Sequence, residues 1–158
     1  MDENQYRSVY KELNPNRCIF EKAITNQRCD CEVKRRFVLA NRECIACNSE
    51  SALETCTSAL NTIRNNARFS LKVVTVNGPM PHNKELQVQA GGMLALQSLM
   101  LNTSDNPLDN EVKIVKNIYQ TLKSALEHYG SLETLPYAEI VKSIVKYQSR
   151  PKRSKKKK

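Results

Sequence analysis

All six cysteines of this chain of 158 residues lie between residues 18 and 56, in a sequence that has no tryptophan. Four of them occur in one stretch, RCDCEVKRRFVLANRECIAC, which runs from Arg28 to Cys47. Thiolates are soft ligands that favour zinc and iron–sulfur clusters. In a reducing compartment, such clustering is more typical of ligation than of disulfides. The cysteines therefore predict a metal or cluster site.

A zinc site is the first interpretation of this pattern. Cys29 and Cys31 form one close pair, Cys44 and Cys47 form another, and twelve residues separate them, as in a zinc ribbon. The CDC pair has one intervening residue, however, whereas zinc pairs typically have about two to four. The spacing therefore supports zinc only in part.

An iron–sulfur cluster is the second interpretation. A 4Fe–4S cluster needs four thiolates, and its size allows ligands from separate segments. Such a set would combine Cys18, Cys47 and Cys56 with either Cys29 or Cys31. Seven basic residues against four acidic ones in residues 17–47 would offset the charge of an anionic cluster. This interpretation is slightly favoured over zinc.

Two further interpretations of the cysteines concern single residues or pairs. Cys44 follows Val33, Phe37 and Ala40 at helical spacing, which predicts that it is a buried apolar side chain and not a ligand. The same argument allows Cys56 to be a core residue. The pair CIAC, residues 44–47, could do thiol redox chemistry, but the βαβ pattern typical of that chemistry is missing.

The elements that would position these cysteines are predicted to be helices. Glycine is scarce, with four residues, and apolar side chains recur at helical spacing over most of the chain. The predicted helices cover residues 3–13, 32–46, 51–69, 84–101, 110–129 and 136–147. The fold class is therefore predicted as all-α. Residues 1–149 would form one helical domain, with a cysteine-rich part at 18–56 and a helical bundle at 84–147.

The net charge of +9 is concentrated at the carboxyl end. The last nine residues, RPKRSKKKK, hold seven basic residues and no acid, so residues 1–149 are close to neutral. We expect a disordered tail with weak, non-specific affinity for nucleic acid or other polyanions. The side chains assigned to that contact are Lys152, Arg153, Lys155, Lys156, Lys157 and Lys158.

The first residues, MDENQYRSVYKEL, are polar and do not match a secretory signal. No run of about eighteen apolar residues is present, so the sequence predicts no transmembrane segment. We therefore expect a cytoplasmic protein.

The segments CIFEKAITNQRCDC, ANREC, NSESALETC and NNARFSL resemble a family of small uncharacterised bacterial proteins with a cysteine motif. The resemblance extends through MPHNKELQVQAGGMLALQSL and LPYAEIVKSIVKYQ, and so covers most of residues 18–147. It implies a shared cysteine set without Cys44, and it brings no function with it. The set comprises Cys18, Cys29, Cys31, Cys47 and Cys56.

No catalytic motif accompanies the cysteines. His82 has no evident nucleophile or acid partner, and each of His82 and His128 has a structural explanation at a helix end. We therefore predict a non-enzyme. The favoured function is an iron–sulfur protein that acts with a protein partner as electron carrier, cluster-handling accessory or redox sensor. The alternative is a zinc-stabilised helical module that binds nucleic acid or an acidic partner through its lysine-rich tail.

Overall fold

The computed structural model describes residues 2–74, 78–102 and 114–147. Within these ranges the chain forms six helices and two strands, so the fold is mixed α/β. The elements in chain order are α1 (Glu3–Leu13), α2 (Glu21–Thr25), β1 (Lys34–Leu39), β2 (Arg42–Cys47), α3 (Glu50–Ala67), α4 (His82–Asn102), α5 (Ile118–Tyr129) and α6 (Tyr137–Lys146).

The prediction of an all-α fold was wrong because residues 34–47 form an antiparallel hairpin instead of a helix. Ala40 and Asn41 have φ angles of 48° and 61°, as the tight two-residue turns of hairpins require. Asparagine tolerates this conformation well. Phe37 and Val38, an aromatic and a β-branched residue, also favour a strand. The helical spacing that ends at Cys44 is therefore a coincidence of a short segment.

Side-chain caps set where several helices begin. Ser49 accepts a hydrogen bond from the backbone N–H of Ala52 and caps α3. Helix α5 starts later than expected, because Asn117 is its cap. The first part of the helix predicted at 110–129 falls outside the described residues. Pro136 immediately precedes α6, close to its expected place.

Helix α4 lies at the centre of the fold and contacts α2, α3, α5 and α6. One continuous apolar core includes residues from α2, β2 and each helix from α3 to α6. The cysteine-rich half and the helical bundle therefore share a core. The glycine pair of α4 lies where helices approach closely. A side chain at Gly91 would meet α6, and one at Gly92 would meet Ile63 of α3.

Replacing Gly91 by alanine should lower the free energy of unfolding by about 1 kcal/mol. The new methyl group would lie 3.0 Å from Cβ of Tyr147 and 3.1 Å from Cα of Ile144, and neither atom can move independently of the backbone. Overpacking of about 1–3 kcal/mol then exceeds the ~1 kcal/mol gained from helix propensity. Gly92→Ala is the matched control, because its nearest contact is a methyl group at 3.3 Å. Urea denaturation of both variants measures their free energies of unfolding, and a Gly91→Ala protein more stable than Gly92→Ala would contradict the prediction.

Among the described helices, none combines the length and apolar character needed to cross a bilayer. The basic tail, including Lys152 and Arg153, lies outside the described residues.

Candidate metal centre

Four thiols from four separate segments line one pocket: Cys18, Cys31, Cys47 and Cys56. Most of the other residues around this pocket are apolar, among them Ile19, Phe20, Val33, Leu53 and Ile118. Lys34 is the one charged residue among those that line it. We call this arrangement the thiol pocket. All six cysteines of the chain are free, so the four thiols are available as ligands.

Backbone pairing next to the hairpin places Cys18 and Cys47. Arg17 forms an antiparallel bridge with Ala46 at the open edge of β2. On either side of it, Cys18 N–H donates to the carbonyl of Ile45 at 3.0 Å, and Cys47 N–H donates to the carbonyl of Asn16 at 2.8 Å. The two thiol-bearing residues are therefore held on adjacent extended segments by main-chain hydrogen bonds.

A tight turn holds Cys31. The carboxylate of Asp30 accepts the backbone N–H of Cys31 at 2.8 Å and also binds the amine of Lys34. The segment before it is fixed from the other half of the chain. Asp30 N–H donates to the carbonyl of Val115 at 2.9 Å, and Ile118 N–H donates to the carbonyl of Asp30 at 2.9 Å. Cys31 thus lies on a loop anchored against the start of α5.

Helix α3 supplies the fourth thiol. Cys56 lies four residues after Ala52 on the same face of the helix, and both line the pocket. The connection from β2 is short, and the thiol of Cys47 donates to the carbonyl of Ser49, the helix cap, at 3.2 Å. The strand end and the helix start therefore present Cys47 and Cys56 to the same space.

Burial controls the acidity of several of these thiols. It raises the pKa of Cys18 and of Cys56 to about 12, and neighbouring cysteines add to the rise in both cases. Thiols with such a pKa are protonated at neutral pH and are weak nucleophiles. Ligation would have to displace these protons.

The other two cysteines lie outside the pocket. Cys29 is buried behind it, and burial together with the neighbouring Cys18 raises its pKa to about 12. Cys44 is fully buried, and its sulfur lies 3.5 Å from the hydroxyl of Tyr6 on α1. The sequence left Cys29 and Cys31 as alternatives, and Cys31 is the one that lines the pocket.

The pairing expected for a zinc ribbon is not what the hairpin provides. Cys44 and Cys47 are three residues apart on β2, and residues at odd spacing on a strand point to opposite faces. In the described ranges, no three His, Cys, Asp or Glu side chains are grouped closely enough to hold a metal ion. A zinc ion bound at Zn–S distances of about 2.3 Å holds its sulfurs only ~3.8 Å apart. The described residues therefore contain no ready-made site for a single metal ion.

Lys34 is a pocket residue that the sequence interpretation missed. The hairpin register pairs it directly with Cys47, so the two side chains share one face. A hydrogen bond from the Lys34 amine holds the pKa of Asp30 below its usual value. The Asp30 carboxylate is therefore charged at neutral pH. Recognition of the Ala40–Asn41 turn would have revealed the position of Lys34, because the turn fixes the register.

Comparison with known proteins adds no relative to this description. The chain matches no protein-family model, no curated protein and no solved structure. The functional argument therefore depends on the pocket itself.

Proposed function

We propose that this chain is an iron–sulfur protein in which Cys18, Cys31, Cys47 and Cys56 hold one 4Fe–4S cluster. The observation that carries the proposal is the convergence of four free thiols on one mainly apolar pocket. Four cysteine thiolates are the usual ligand set of such a cluster. A cluster also spreads its ligands over several irons. Its thiolates can therefore stand further apart than the sulfurs around one zinc ion.

The residues of the pocket have separate roles in this proposal. When bound, the cluster supplies one-electron chemistry. The four cysteines release their protons and bind as thiolates, so affinity should fall as the pH is lowered. Ile19, Val33 and Leu53 limit contact with water, which affects both stability and reduction potential. The protein would then work with a redox or assembly partner as a carrier, an accessory or a sensor.

Protein purified under anaerobic conditions should be brown and contain about four irons and four sulfides per chain. The measurement is iron, zinc and acid-labile sulfide analysis together with the visible spectrum before and after reduction. Exposure to air should bleach the colour and release iron. Colourless protein with one zinc per chain would contradict the proposal and favour a zinc-stabilised module.

The basic tail has a secondary place in the proposal. Its charge suits a weak contact with a polyanion or an acidic partner, and it is not part of the thiol pocket.

A further inference from the structure

The charge at the thiol pocket is concentrated on one side chain. Lys34 is the only charged residue among those that line it, alongside four cysteines and apolar neighbours. Several other basic residues near the hairpin have acidic partners away from the pocket. Arg36 pairs with Glu43, and Arg42 pairs with Glu3. Lys34 is therefore the one basic side chain among the residues that line the pocket.

Two independent constraints hold Lys34 between Cys31 and Cys47. Across the hairpin, the register sets it opposite Cys47. Along the chain, its backbone N–H donates to the carbonyl of Cys31 at 3.4 Å, which closes the turn that carries this thiol. The lysine is thus fixed beside two of the four proposed ligands.

The partner of Lys34 lies on the solvent side. The Lys34 side chain is 22% exposed, whereas that of Asp30 is 56% exposed. Water screens the more exposed charge more strongly. The carboxylate therefore holds the amine in place and offsets its field inside the pocket only in part.

We propose that Lys34 sets the reduction potential of a cluster bound in the thiol pocket by placing a fixed positive charge between Cys31 and Cys47. This inference rests on the proposed iron–sulfur site. One-electron reduction adds a negative charge there, and a nearby ammonium group stabilises that charge. Charge and hydrogen bonds around the sulfurs are general determinants of such potentials. Lys34 is thus a positioning residue for charge and not a ligand.

The test is a dithionite titration of anaerobically purified protein, followed by electron paramagnetic resonance. Lys34→Met should make reduction about tenfold less favourable, a shift of ~59 mV to more negative potential for one electron. Lys34→Arg should stay near the wild-type potential. Asp30→Asn should shift the potential to more positive values, because asparagine keeps the acceptor oxygen and loses the opposing charge.

Arg35→Met is the matched control. It removes the same charge from the next residue of β1, whose side chain is exposed and packs on Phe37 outside the pocket. A shift with Arg35→Met as large as with Lys34→Met would overturn the inference, because any nearby charge would then suffice. An unchanged reduction potential in iron-loaded Lys34→Met protein would overturn this inference and leave the proposed function standing. Loss of iron from Lys34→Met would also overturn it, since Lys34 would then hold the site together. Wild-type protein without iron would overturn both this inference and the proposed function.

Discussion

Serine at Cys18, Cys31, Cys47 or Cys56 should remove most of the iron from anaerobically purified protein. Each of these thiols lines the pocket, and a serine hydroxyl is a poor substitute for a soft thiolate ligand. The measurement is iron and sulfide per chain, with circular dichroism to show that each variant is folded. Because the proposed ligands come from four segments, loss of one should also weaken the link between the others.

Cys44→Ser is the matched control for this series and should keep its iron. Its side chain is buried outside the pocket, close to the hydroxyl of Tyr6 and to the carbonyl of Arg42, which a serine hydroxyl could bind. Cys29→Ser should also retain iron, since Cys29 does not line the pocket. Loss confined to Cys29, Cys31, Cys44 and Cys47 would instead identify the zinc-ribbon set.

Replacing Glu85 by glutamine should lower the free energy of unfolding by about 3–5 kcal/mol, a large part of the stability of a small domain. Glu85 on α4 and Arg64 on α3 are 1% and 5% exposed. Arg64 Nε donates to both carboxylate oxygens of Glu85, at 3.0 and 3.2 Å. Met80 N–H and the amide of Gln89 also donate to this carboxylate. Glutamine would leave a buried guanidinium without its counter-charge.

The same carboxylate gives the stability a pH dependence. Burial raises the pKa of Glu85, but hydrogen bonds from Arg64, Met80 and Gln89 outweigh it and hold the pKa below its usual value. The stabilisation is therefore present above the pKa of about 4.3 for an unfolded glutamate, and is lost as the pH falls through the lower folded value.

Glu139→Gln, in the exposed pair with Lys142, is the control for Glu85→Gln and should leave the urea midpoint unchanged. Equal midpoints for Glu85→Gln and wild type would contradict the prediction.

Helix positions could be predicted from the sequence where caps and apolar spacing agree. Ser49 marks the start of α3 because its side chain satisfies a free N–H of the first turn. The hairpin was missed because four apolar residues happened to match the helical period. The signal against a helix was Asn41 in the turn, which is a local feature and could have been recognised.

The local sequence could not show that Cys31, and not Cys29, lines the thiol pocket. This placement depends on the segment at 28–30 pairing with Val115, which lies far along the chain. The expectation that Cys44 is buried agrees with its placement, although the reason was wrong, since it lies on a strand. Contacts between segments that are distant in the sequence bring the thiols together, and the spacing of the cysteines along the chain does not determine those contacts.

The anchoring of Asp30 by Val115 and Ile118 has a consequence for how the cysteine-rich segment can be used. A fragment that ends after α3 would contain every cysteine but would lack both backbone partners of the Cys31 loop. It would also lose Ile118 and Tyr119 from the wall of the pocket. The cysteine-rich segment therefore could not be transferred to another protein with the arrangement of its thiols intact. That arrangement belongs to the whole domain.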